Sequence, residues 1–438
     1  MSENISSTHQ NSILPMIIIG SLFFMFGFVT WLNGSLIPFL QIACELENMQ
    51  AYLVTMIFYL AYTIVALPSS MILRRTGYKN GMLIGMVIMA IGALLFVPAA
   101  LTRLYPLFLL ALFVLGAGLT LLQTASNPYV VLIGSRETAA VRISLMGVLN
   151  KAAGVIAPII FTAFVLTDMA QYSDANLAVL STELKSQQLV ELSVRLVNPY
   201  LIMAGMLLVL AVFLKMAPLP EPVVEESDQS PDDGSTILSH PQLVLGAITL
   251  FFYVGAEVIA GDTIGLFGKD LGVSNFGELT SYTMSFMVVG YLLGMLLIPR
   301  WVSQQMALVG SALLGILFSV LLVTASQNDS SIWALLFSWT GVPAIPDAVL
   351  YVALFGLSNA MVWPAIWPLA LNGLNARLTS TGSALLIMAI SGGAVLPVIY
   401  GALADSYQSA QQAYLLMIPF YLFILFYGLK GHKMKAWK

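Results

Sequence analysis

The chain has 438 residues, 59% of them hydrophobic and 9% charged, with a mean hydropathy of +0.91 and a formal net charge of −4. A soluble domain runs at roughly 45–50% apolar and about 25% charged, so an ordinary soluble fold is excluded and a bilayer is the expected solvent. The acidic balance excludes a nucleic-acid footprint, the single Cys44 excludes an internal disulfide, and three His with one Cys argue against a zinc site; no metal and no cofactor is expected.

Residues 1–14 are polar, carry no Lys or Arg and do not read as a signal peptide; a cytoplasmic tail is expected. A spanning helix needs about 20 predominantly apolar residues. Twelve stretches qualify: 15–39, 51–73, 81–101, 104–130, 143–166 and 196–216, then 242–268, 277–299, 304–326, 346–371, 381–404 and 411–430. A barrel would alternate polar and apolar positions over about 10 residues, and these runs do not. The expectation is therefore an all-α membrane protein of 12 transmembrane helices, with a six-helix bundle over 15–217, a linker over 218–240, a second bundle over 241–430 and a tail over 431–438. The linker is rich in Pro and acid and lacks Lys and Arg, the composition of a solvated connector. With the N-terminus inside, twelve Lys and Arg fall on the cytoplasmic side and four on the other, while Lys151 lies within a helix. That bias places both termini in the cytoplasm.

The halves repeat. Phe23–Gly27 (FFMFG) returns as Phe251–Gly255 (FFYVG), Arg75 with Gly85 as Arg300 with Gly310, and Gly154–Pro158 (GVIAP) as Gly393–Pro397 (GAVLP). Duplicated halves around a midplane site are a common build of secondary transporters.

Ionisable residues at bilayer depth are functional candidates by default. Lys151 lies in the fifth span beside Asn150, and Glu257 and Asp262 lie in the seventh. Lys151 and Glu257 buried together would make either a switch or a static tie between the halves. Asp262 is nearer the outer end, where it either reaches water or acts in coupling. Gln123 and Asn127 are four apart on one face of the fourth span, Trp31 and Asn33 lie in the first, and Asn359, Trp363 and Trp367 form a stripe at intervals of four in the tenth. Amides both donate and accept hydrogen bonds and indoles stack on pyranose faces, so together they suggest a sugar site. Interhelical hydrogen bonding and lipid or core packing are the alternatives.

The runs FFMFGFVTWLNGSLIPFL, LLQTASNPYVVLIG and YVGAEV resemble the fucose permease family of the major facilitator superfamily, from about residue 15 to the C-terminus. WLNGSLIP, QTASNPYVV, LNKAAGVIAP and VGAEVIAGDTIG are most similar to its bacterial N-acetylglucosamine permease branch. The resemblance implies the major facilitator fold, two pseudo-symmetric six-helix bundles rocking about a central cavity. The basic turn of Arg74, Arg75 and Gly77 is similar to that superfamily's gating loop between helices 2 and 3. The family's fucose/proton symporter has carboxylates in helices 1 and 4 where this chain has Gly34 and Gln123, so its coupling chemistry does not carry over. Glu257 matches a Glu of the glucose/galactose members.

The resulting expectation is a non-enzymatic importer of N-acetylglucosamine or a related hexose, monomeric and resident in a bacterial inner membrane. Trp31, Asn33, Gln123, Asn127, Asn150, Asn359, Trp363 and Trp367 would contact the sugar. Proton symport would run through Glu257, Asp262 and Lys151, with Glu257 binding the proton in one access state; sodium coupling and uncoupled diffusion are the alternatives. A nutrient sensor of the same fold would need a larger cytoplasmic domain, and no HExxH or GxSxG motif suggests an intramembrane enzyme.

Overall fold

The computed structural model describes residues 13–132, 139–172, 174–219, 237–298, 300–374 and 376–437. Most of the linker, the start of the N-terminal tail and the side chain of Arg74 lie outside the described residues.

Hydrocarbon offers the backbone no hydrogen-bond partners, so apolar runs of this length must satisfy their own N–H and C=O groups as helices. Among the described residues twelve helices are long and apolar enough to cross a membrane. The first half comprises α1 (Pro15–Ala43), α2 (Met49–Ala66), α3 (Arg75–Thr102), α4 (Tyr105–Leu132), α5 (Ala139–Val165) and α6 (Val197–Met216). The second comprises α7 (Pro241–Asp262), α8 (Leu279–Leu297), α9 (Gln304–Thr324), α10 (Asp347–Leu371), α11 (Leu385–Tyr407) and α12 (Ala410–Lys433). An even number of crossings brings both chain ends and the linker to one side, called here the linker face. The opposite side is the far face.

Several spans are not single rods. The helix of α1 breaks at Leu32. Between α2 and α3 the chain turns at Gly77, whose φ of +79° is open to glycine at little cost, as the sequence leads one to expect. Beyond α7 a short helix, Ile264–Asp270, follows a break at Thr263, whose hydroxyl donates to Ile259 O at 2.7 Å; this back-bonding bends helices. The helix of α10 stops at Asn359 and restarts at Val362. Pro364 explains the break: it has no N–H for the Ala360 carbonyl and its ring collides with it, whereas a proline is tolerated in the first turn of a new helix.

The halves meet closely at the far face. The Ser35 hydroxyl donates to Gly277 O at 2.6 Å, Lys269 Nζ donates to Gln41 Oε1 at 2.8 Å, and Tyr52 packs edge-on against Tyr400 with centroids 5.6 Å apart. Nearer the middle, Ser281 Oγ donates to Val155 O at 2.6 Å. Over the far face of the first half lies a polar helix, Thr182–Val194, capped by Ser181 and held by Lys185 on Glu45 at 2.7 Å. Glu45 also pairs with Arg103 at 3.1 Å.

Candidate functional site at the centre of the bundle

The polar core of the molecule is built on α1, α5 and α7. Lys151 of α5 and Glu257 of α7 form an ion pair across the two halves, each residue 8% exposed. The pair expected from the sequence is thus joined. The Lys151 ammonium also stands over the Trp31 indole, 4.3 Å from the ring centroid, a cation–π contact. Trp31 Nε1 donates to Asn150 Oδ1 at 3.4 Å, and Asn150 Nδ2 donates to Phe23 O at 3.4 Å. Small residues make room for the indole: a Cβ at Gly154 would stand 2.7 Å from its Cδ1, and one at Gly261 2.5 Å from its Cζ3. Met284, Met287 and Tyr291 of α8 complete its enclosure. Charge, aromatic face and amide therefore meet at one point between the halves.

Asp262 lies five residues beyond Glu257 at the far end of α7 and is 0% exposed. Its proximity to water along the helix is therefore not matched in space. Oδ2 accepts the Thr55 hydroxyl of α2 at 2.8 Å, and Oδ1 has no hydrogen-bond partner among the described residues. Asn33 of α1 is buried, and its Nδ2 likewise has no partner among the described residues. Gly34, where the resemblance places a carboxylate, has no space for any side chain: its Cβ would lie 2.1 Å from Thr280 Oγ1 and 2.7 Å from Gly261 O.

The other expected sugar contacts are more dispersed. Gln123 and Asn127 are half-buried on α4, and Gln123 faces Tyr62. Trp363 and Trp367 pack together with centroids 5.6 Å apart, and Trp363 lies 6.3 Å from Tyr253, which faces Glu257. Asn359 does not continue their stripe, because the break after it redirects the helix. Its Oδ1 accepts from Tyr421 OH of α12 at 2.9 Å, while Nδ2 has no partner among the described residues. Arg75 is exposed beside the Gly77 turn, and Lys79 ties that turn to the end of α6 through Ala217 O at 2.7 Å. Thr55, Tyr253, Tyr291 and Tyr421 escaped the sequence reading; hydroxyls are common in membrane helices and nothing local marks these.

Two helical halves closing on a buried polar centre are the build of a membrane transporter. The Major Facilitator Superfamily model matches residues 19–397, and the chain belongs to that superfamily. It is 35% identical over 433 residues to a glucose/galactose transporter of Brucella abortus, covering 98% of this chain and 96% of the relative. It is 26% identical over 409 residues to the L-fucose-proton symporter of Escherichia coli, covering 91% and 88%. Among solved structures, the outward conformation of a fucose transporter, FucP, superimposes with a TM-score of 0.71 at 24% identity over 95% of this chain and 98% of that one. An inward-facing bacterial homologue of the lysosomal transporter Spinster gives 0.64 at 15% identity, over 97% and 98%.

Proposed function

We propose that this protein is a sugar importer driven by proton symport, with N-acetylglucosamine as its favoured substrate. The observation that carries the reading is the central cluster of Trp31, Asn150, Lys151 and Glu257, polar and aromatic at mid-depth between two halves that can rock apart. Sugar transport itself accords with the glucose/galactose and fucose transporters to which the chain is similar. The choice of N-acetylglucosamine rests on the runs around Asn33, Gln123, Asn150 and Glu257. Asn33 and Asn359 each hold a buried amide N–H without a partner among the described residues, groups suited to a sugar hydroxyl or an acetamido carbonyl. Trp363 and Trp367 keep partial exposure and supply stacking faces, and Gln123 and Asn127 of the other half are half-buried amides able to add hydrogen bonds. The carrier works as a monomer in the inner membrane with both termini cytoplasmic, so Ser230→Cys in a Cys44→Ser background is shielded from an impermeant thiol reagent applied outside.

The test is uptake of labelled N-acetylglucosamine, glucose, galactose and fucose into proteoliposomes, with proton and sodium gradients imposed separately. Accumulation of N-acetylglucosamine above the others, under a proton gradient alone, is the expected result. Preference for glucose or galactose would replace the substrate, and accumulation under sodium alone would replace the coupling ion.

A further inference from the structure

Two acids sit in the membrane-spanning part of α7, and their surroundings differ. Glu257 is neutralised by Lys151. Asp262 is enclosed with one hydrogen bond, from Thr55, and one bare oxygen. Tyr59 faces it from α2, and the charge acting on it among the described residues is Glu257, of like sign, from its own helix. From α8, Thr280 and Thr283 approach, but their hydroxyls donate to Gly261 O at 2.7 Å and Ala260 O at 3.1 Å. From α1 comes Gly34 with no side chain to offer, and from α11 Gly393, packed on Tyr59 and Val258.

The enclosure is itself a product of closure. Thr55 belongs to the first half and Asp262 to the second, so their hydrogen bond forms when the halves meet at the far face. Parting them there would hydrate the carboxyl group. An ionised carboxylate is stable in water and expensive in such an enclosure without a cation. We propose that Asp262 carries the coupling proton and that the far face closes over its neutral form. At the open far face a hydronium ion gives its proton to one carboxylate oxygen: an O–H bond of hydronium breaks, one forms on the acid, the charge is removed and water is left. The halves then close with Thr55 against the neutral acid, and the proton is returned to water on the other side. The Lys151–Glu257 pair needs no proton for closure because its charges already balance. This inference rests on the proton-symport reading and assigns the residue within it.

The experiment compares Asp262→Asn with the doubly neutral Lys151→Met/Glu257→Gln in proteoliposomes. Asp262→Asn is expected to keep sugar exchange between equal pools within about two-fold of the parent, well short of the tenfold that 1.4 kcal/mol would give, and to lose accumulation driven by a proton gradient. The double variant, which alters the central cluster, is expected to exchange sugar more slowly yet still to accumulate it under a proton gradient. Accumulation by Asp262→Asn as in the parent overturns the proposal, as does its loss in the double variant alone. If the parent moves no sugar, the transport reading fails; if it moves sugar without a proton response, symport fails; only the variant comparison bears on Asp262 by itself. Should Asp262→Asn not fold, far-face labelling of Ser35→Cys decides, with Asp262 intact in a Cys44→Ser background. Normalised to the exposed position Val179→Cys, labelling should fall as the buffer is acidified, and a pH-independent ratio overturns the proposal.

Discussion

Lys151 and Glu257 come from different halves of the protein yet form one ion pair at mid-depth, each only 8% exposed. Desolvating two charges offsets much of their attraction, so such a pair contributes modestly while intact and costs heavily when one partner is removed. Lys151→Ala leaves Glu257 buried and uncompensated, and should lower stability by about 3–5 kcal/mol. Lys151→Met/Glu257→Gln should recover most of that loss. Thermal unfolding in detergent checks both, and a double variant as unstable as the single would show that the pair's charges are not what the fold depends on.

Gly27 of α1 and Asn150 of α5 bring two backbones into contact: a Cβ at Gly27 would lie 1.8 Å from Asn150 O. Backbone cannot rotate away, so Gly27→Ala must push α1 off α5 and disturb the Trp31–Asn150 bond. Overpacking of this kind costs about 1–3 kcal/mol. Gly205→Ala on α6, where nothing lies within 4 Å, serves as the control and should leave the melting temperature unchanged.

These cases show where the sequence was legible. Lys151 and Glu257 stand out because a charge within an apolar run has few explanations, and their meeting follows from each needing the other. Asp262 misleads, because counting along a helix gives depth but not the neighbour across the interface, here Thr55. Pro364 signals a break in α10, but the interval of four hides it and sets Asn359 in one stripe with the two tryptophans. The Thr182–Val194 helix is too polar for any hydropathy criterion and takes its place from Ser181 at its cap and Lys185 on Glu45.

At the far-face end of α1, burial pushes the Cys44 thiol up to about 11, with Arg103 pulling it down less strongly. The thiolate is the nucleophile, so maleimide should label Cys44 far more slowly than Val179→Cys at neutral pH, and faster as the pH rises. Equal rates read by mass spectrometry would refute this. The neighbouring Glu45 carboxyl is held below its usual range by its hydrogen bond with Lys185, with Arg103 adding to it. A depressed carboxyl contributes stability above its ordinary range and loses it as the pH falls through the folded-state value. The clasp on Thr182–Val194 should therefore loosen only in acid, and weakly, because Glu45 is half exposed. Proteolysis of that segment across a pH series measures it.

Tyr421 of α12 holds Asn359 from behind: its hydroxyl donates to Asn359 Oδ1 at 2.9 Å and lies 3.2 Å from Ser358 Oγ. The amide is thereby oriented, with its N–H group left for a ligand. If Asn359 contacts sugar, Tyr421→Phe should weaken transport without touching the substrate, because the amide loses the bond that fixes its direction. Removing a buried partner costs about 1–3 kcal/mol, part of which falls on binding, so KM should rise several-fold with little change in maximal rate. Asn359→Ala should raise KM at least as much, and the double variant should add little to it, since both changes remove one arrangement. Additive effects in concentration-dependent uptake would mean that Tyr421 supports the fold of α12 and that Asn359 acts independently. An unchanged KM in Asn359→Ala would remove that residue from the site.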